Sequence, residues 1–173
     1  MVSDEQFAAM EQRVRELEDK LAIYQLVASY GPSVDGGAVT EAGRLWTEDA
    51  WYDSDASSAG ADGVHGRAGI EAVAKMCGDL AVGVAHITHL PIVTVEGDRA
   101  TVIGHSNTFH QEDGEFRIAR VASNRWDLER MDGTWRVRRR TNRLLDGSAE
   151  SKAVLAEGLR HAQEVDNIGG GNA

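Results

Sequence analysis

The chain has 173 residues, enough for one domain with a substantial core and too few for two. It carries 28 acidic against 18 basic side chains, and the formal net charge of -10 argues against nucleic acid or an anionic membrane surface as a partner. A single cysteine, Cys77, excludes an internal disulfide and a cysteine-rich zinc site. The start of the chain lacks the charged-then-apolar pattern of a signal peptide. No stretch approaches the roughly 20 apolar residues of a membrane helix, so a cytoplasmic location is expected.

In chain order, Phe7, Met10, Val14, Leu17, Leu21, Tyr24 and Ala28 recur at alternating spacings of three and four, with charged residues between. That pattern predicts an amphipathic helix to about Tyr30. Its seam would suit a short coiled coil, but a helix lying over a sheet is the simpler expectation. "GPSVDGG" should end it, since glycine and proline break the hydrogen-bond ladder. Thr40 to Trp46 reads as a short second helix, "AWYDSD" as a strand, "SSAGADGVHG" as a polar loop and "RAGIEAVAKMCGDL" as a third helix.

Four β-rich runs follow: Val82 to Val95, Ala100 to Gln111, Phe116 to Arg130, and Trp135 to Asn142. The glycine-containing turns between them read as antiparallel hairpins. Glu150 to Asp166 reads as a last helix, and "GGGNA" as a frayed tail. The expected architecture is one α+β domain over residues 1–148, with a C-terminal helix and tail over 149–173. In it, helices pack on one face of a curved antiparallel sheet, and the sheet curls round them to leave a conical ligand cavity. The outer face, assigned Val93, Val95 and Phe109 by alternation, is expected to be buried in a homo-oligomer, a dimer or trimer.

His86 and His89 stand in "VAHITHLP", a run rich in Val, Ile and Thr with Pro91 at its end. On a helix they would share a face and could grip a metal. On a strand they point to opposite faces, and the strand is the better reading. One histidine should therefore face the cavity. It becomes a base when a carboxylate orients it. Asp35, in the loop expected after the first helix, is the carboxylate to consider; read alone, it is an ordinary turn residue.

"YGPSVDGG", "WTEDA", "AHITHLPIVTVEGDRA" and "ERMDGTWRVRRR", in this order and spacing, resemble the SnoaL-like family of the nuclear-transport-factor-2-like superfamily. These are cone-shaped α+β barrels, and the resemblance covers about residues 10 to 145. The nearest functional relatives it suggests are scytalone dehydratase, bile-acid dehydratase and hexachlorocyclohexane dehydrochlorinase. It implies a catalytic pair of Asp35 and His86, with Tyr30 beside them. It further implies substrate contacts at Asn124 and Arg140. In "VIGHSNTFHQED" no residue matches the family's second catalytic group cleanly. If the even positions face inward, Ser106, Thr108 and His110 line the cavity, with His110 the substitute acid and Thr108 a substrate contact.

Together these residues imply a cofactor-independent lyase, with no metal and no organic cofactor. It would be a dehydratase acting on a hydrophobic cyclic substrate of steroid or polyketide type. An isomerase or aldol-type cyclase would use the same pair, and a non-catalytic binding or assembly domain would use the same fold without chemistry.

Overall fold

The computed structural model describes residues 2–56, 60, 62–80 and 83–169. Helix α1 (Asp4–Asp35) opens on a capping box: the Ser3 hydroxyl accepts from the Gln6 amide at 3.2 Å, and the Gln6 side chain accepts from the Ser3 amide at 3.0 Å. The helix does not stop at Tyr30. It runs through Gly31 and Pro32 to Asp35, because Tyr30, Gly31, Ser33 and Val34 are buried in the core. Packing of that last turn outweighs the one backbone hydrogen bond the proline removes. Gly37, at φ +64°, takes the left-handed conformation that then releases the chain.

Helix α2 (Val39–Arg44) is shorter than expected, since Trp46 already begins strand β1 (Trp46–Ser54). The polar loop contains a short strand, β2 (Val64–His65), while residues 57–59 and 61 of it lie outside the described residues. Helix α3 (Gly66–Gly78) follows. The expected run from Val82, itself outside the described residues, is two strands: β3 (Val84–Thr88) and β4 (Ile92–Glu96), separated at His89–Pro91. Strands β5 (Arg99–Glu112), β6 (Glu115–Met131) and β7 (Thr134–Leu144) form the meander, and α4 (Ala149–Gly169) closes the chain. The expected "GGGNA" tail lies, from residue 170, outside the described residues.

The sheet order is β2-β1-β7-β6-β5-β3, with β4 also paired to β5. It is mixed rather than antiparallel throughout, because β1 runs parallel to β7. That follows from the long excursion through α3 and β3–β6 between the two strands, which no tight hairpin constrains. The core holds Ile23, Val27, Trp46, Val102, Trp126 and Val137 between the helices and the concave face. Among the described residues no helix is long and apolar enough to cross a membrane.

Three further expectations need correction. Helix α4 lies on the sheet's opposite face from the core: Gly158 packs directly on the Ile103 side chain, and Ala162 and Ser151 are buried there. Val93 and Val95 belong to the core side, because the break at His89–Pro91 reverses the alternation between β3 and β4. Their supposed outer apolar surface is therefore not available to a partner. Nor does the first half of α1 lie on the sheet, since Val2 to Glu18 are all exposed.

Docking of α1 begins at Asp19. Its carboxylate accepts two bonds from the Arg130 guanidinium, at 2.7 and 2.6 Å, and one from the Trp135 indole at 3.1 Å. The Arg130 hydrogen bonds hold this carboxyl below its ordinary value, against a smaller opposing effect of burial. Asp19→Asn should cost about 1–2 kcal/mol near neutral pH, discounted for partial exposure. A carboxyl whose value is depressed by folding contributes fully above its unfolded value, about 3.9, and loses the contribution as the pH falls through the folded one. The melting-temperature gap between wild type and Asp19→Asn should therefore close in acid; a gap constant from neutral pH to below that range contradicts the assignment.

Candidate active site

Asp35 is the last residue of α1 and His86 the middle of β3. The helix comes so close to the strand at Gly31 that a Cβ there would overlap the His86 carbonyl oxygen. Only glycine allows that approach. It brings the carboxylate within reach of His86 twice: the His86 backbone N–H donates to Oδ2 at 2.7 Å, and ring Nδ1 lies 2.5 Å from Oδ1. With Nδ1–H donating to Asp35, the ring's Nε2 is the nitrogen left with a free lone pair, the tautomer a general base requires. A carboxylate at a helix C-terminus is opposed by the helix dipole, and no basic residue occupies the last turn. The two N–H donors from His86 offset that cost.

His86 lines a cavity of about 400 Å³ between α1, α3 and the concave sheet. Apolar walls come from Met76, Leu80, Val84, Ala119 and Leu144. Tyr30 meets the His86 ring edge-on, with centroids 6.4 Å apart. Burial pushes the Tyr30 phenol far above its ordinary value, against the pull of the nearby Arg140 charge, so the hydroxyl is a neutral donor. Burial, reinforced by the charge of Asp35, likewise raises the Cys77 thiol, which makes it a poor nucleophile.

Arg140 is 3 % exposed and stands among the rings of Trp126, Tyr30 and Tyr52, at 4.1, 4.4 and 5.1 Å. Its Nε and Nη2 donate to the Asn124 side-chain oxygen at 2.9 and 2.7 Å, and Nη1 has no partner among the described residues. Arg139 and Arg143 share Asp53, whereas Arg140 forms no ion pair among the described residues. Aromatic faces and one amide thus offset a buried cation whose charge is not neutralised. The cavity wall beside Tyr30 is electropositive.

Of the residues singled out in the sequence, the structure brings Asp35, His86, Tyr30, Thr108, His110 and Arg140 together at one cavity. Thr108 is the β5 partner of His86, and His110 follows on the same face. Asn124 departs from expectation: it is fully buried behind the wall. Its oxygen is taken by Arg140 and by Asn142 Nδ2, and its own amide donates to Ser106. It holds Arg140 rather than reaching a ligand. His89 is exposed beside Asn107, which lines the cavity, but is not itself a lining residue. Sequence reasoning missed Tyr52, Arg120 and Asn142, which also line the cavity. Alternation inward from Trp126 through Asn124 and Ala122 would have reached Arg120. Among the described residues, no three His, Cys, Asp or Glu side chains converge as metal ligands.

The cone of curved sheet and helices is the nuclear-transport-factor-2-like, cystatin-like fold. It is similar to an NTF2-like protein with a cystatin-like fold from Novosphingobium aromaticivorans, at 40% identity and a TM-score of 0.79, covering 90% of this chain and 98% of that one. Rv3472, a protein of unknown function from Mycobacterium tuberculosis, shares the fold at 22% identity and a TM-score of 0.67, covering 90% and 94%. Aln2 from a Streptomyces species shares it at 19% identity and a TM-score of 0.64, covering 75% and 92%. No curated protein sequence matches. A profile of the SnoaL-like domain matches residues 15–141, and the chain belongs to the SnoaL-like family.

Proposed function

We propose that the chain is a cofactor-independent lyase that eliminates water from a hydrophobic cyclic ketone or thioester of steroid or polyketide type. The observation that carries this reading is the two-point grip of Asp35 on His86, which leaves Nε2 as the base inside a cavity of mixed apolar and polar lining. Nε2 takes the proton from the carbon next to the carbonyl. The C–H electron pair moves into the new double bond, and negative charge develops on the carbonyl oxygen. The Arg140 cation and the neutral Tyr30 phenol are the groups available to stabilise that charge. Return of the electron pair expels the hydroxyl from the next carbon. His110 protonates it, and it leaves as water. His86 then gives its proton to solvent and His110 recovers one, which restores the site.

A cavity of about 400 Å³ supports a small-molecule substrate, within the range usual for such sites. The test is NMR of the enzyme in deuterated water with a set of cyclic β-hydroxy ketones. Deuterium should enter next to the carbonyl and the enone should accumulate. Exchange without loss of water would replace the dehydratase with an isomerase or aldol-type cyclase. Saturable binding with no exchange would overturn proton abstraction and leave a binding domain.

A further inference from the structure

The first half of α1 projects beyond the domain: Val2 to Glu18 are exposed, over about 22 Å of helix from Asp4 at 1.5 Å per residue. An isolated helix of that length is marginal in water. This one nevertheless starts at a complete capping box and carries a continuous apolar seam. Phe7, Met10, Val14, Leu17 and Leu21 are each about half to two-thirds exposed, at 55%, 55%, 49%, 67% and 59%. The seam is not the helix's core face. Ile23, Val27, Tyr30 and Val34, which enter the core, lie on roughly the opposite side of the cylinder. The helix therefore has two apolar faces, and the seam points away from its own domain.

We infer that this seam is one strand of a parallel, in-register, two-stranded coiled coil with a second copy of the chain. Spacings of three and four place Phe7, Val14 and Leu21 at the first core position of a heptad and Met10 and Leu17 at the second. The flanking positions are then segregated by charge: Glu11 and Glu18 on one side, Arg13 and Lys20 on the other. In a parallel pair the basic flank of one helix meets the acidic flank of its partner one heptad on, so Arg13 faces Glu18 of the second copy, twice per dimer. An antiparallel pair would set Arg13 and Lys20 against each other and Glu11 against Glu18, a repulsive arrangement. Among the described residues neither Arg13 nor Glu18 has an ion-pair partner in its own chain, in contrast to Arg15, which reaches Glu11. Because each seam faces away from its own domain, two domains fit on the outer sides of the pair. This surface is independent of the proposed reaction.

Sedimentation equilibrium of the whole chain at micromolar concentration should give a dimer. Leu17→Glu should halve the mass without changing the melting temperature of the core, from which Leu17 is remote. Arg13→Glu and Glu18→Arg should each raise the dissociation constant about tenfold, and the double variant should restore it. Phe7→Cys should form a covalent dimer on mild oxidation, since a position at the end of the seam meets its own copy only in the parallel, in-register arrangement. A monomeric wild type overturns the inference. So does a mass indifferent to Leu17→Glu, a trimer, or a charge swap that fails to restore association.

Discussion

Turnover should fall about 10²–10⁴-fold in both His86→Ala and His86→Gln, the range lost with a positioned general base. The fold should survive, because His86 borders a cavity and its removal leaves no void in the packed core. Asp35→Asn should fall within the same range. The amide keeps the shape but cannot balance the imidazolium, and its –NH₂ would have to oppose one of the two His86 N–H donors, which now lie 2.7 and 2.5 Å from the two carboxylate oxygens. Its loss should lie in kcat more than in KM, as expected of a group that acts through the base. His89→Ala should retain most of its activity, since that side chain lies outside the cavity. Folded His86→Ala with near-normal turnover would defeat the mechanism.

Asn124→Ala should destabilise the protein by about 2–3 kcal/mol, the cost of removing an acceptor that a buried cation and a buried amide share. One amide oxygen accepts from Arg140 Nε, Arg140 Nη2 and Asn142 Nδ2, and all three side chains are at most 3% exposed. Asn124→Asp makes the complementary case. A carboxylate there would pair with Arg140 and keep or raise stability, while cancelling the positive charge that the cavity directs at a developing oxyanion. Activity should then drop with the fold retained, and KM for a neutral ketone should change less than kcat. Urea unfolding and steady-state kinetics on both variants check this. A stable, fully active Asn124→Ala protein would remove both the hub and the electrostatic role of Arg140.

Much of the architecture was legible in the chain itself. The three-and-four spacing of the first helix, the apolar period of the third, and the Gly-containing turns of the meander each arise from local preferences that act within a few residues. So does inward alternation on β5, which correctly set Ser106, Thr108 and His110 on one face. The pairing of Asp35 with His86 was different. Periodicity alone made Asp35 a turn residue, and the pair came from the resemblance of the flanking motifs to a known family.

What only the tertiary structure decided is, in each case, a change of phase or of partner. In "RVRRR" alternation from Trp135 and Val137 would send Arg139 inward, yet Arg140 faces the cavity, because the pairing skips Arg138 between Val137 and Arg139. The break at His89–Pro91 did the same to Val93 and Val95. A single unpaired residue inverts every side chain beyond it, and whether it is accommodated depends on the neighbouring strand, not on the strand's own sequence. The last turn of α1 persisted through Pro32 because the core repaid the lost hydrogen bond, and Gly31 let the helix touch β3. The seam of that same helix was written plainly in the sequence. That it faces away from its own sheet was determined by the opposite apolar stripe, which buries more surface against the tryptophans of the core and so claims the domain for itself.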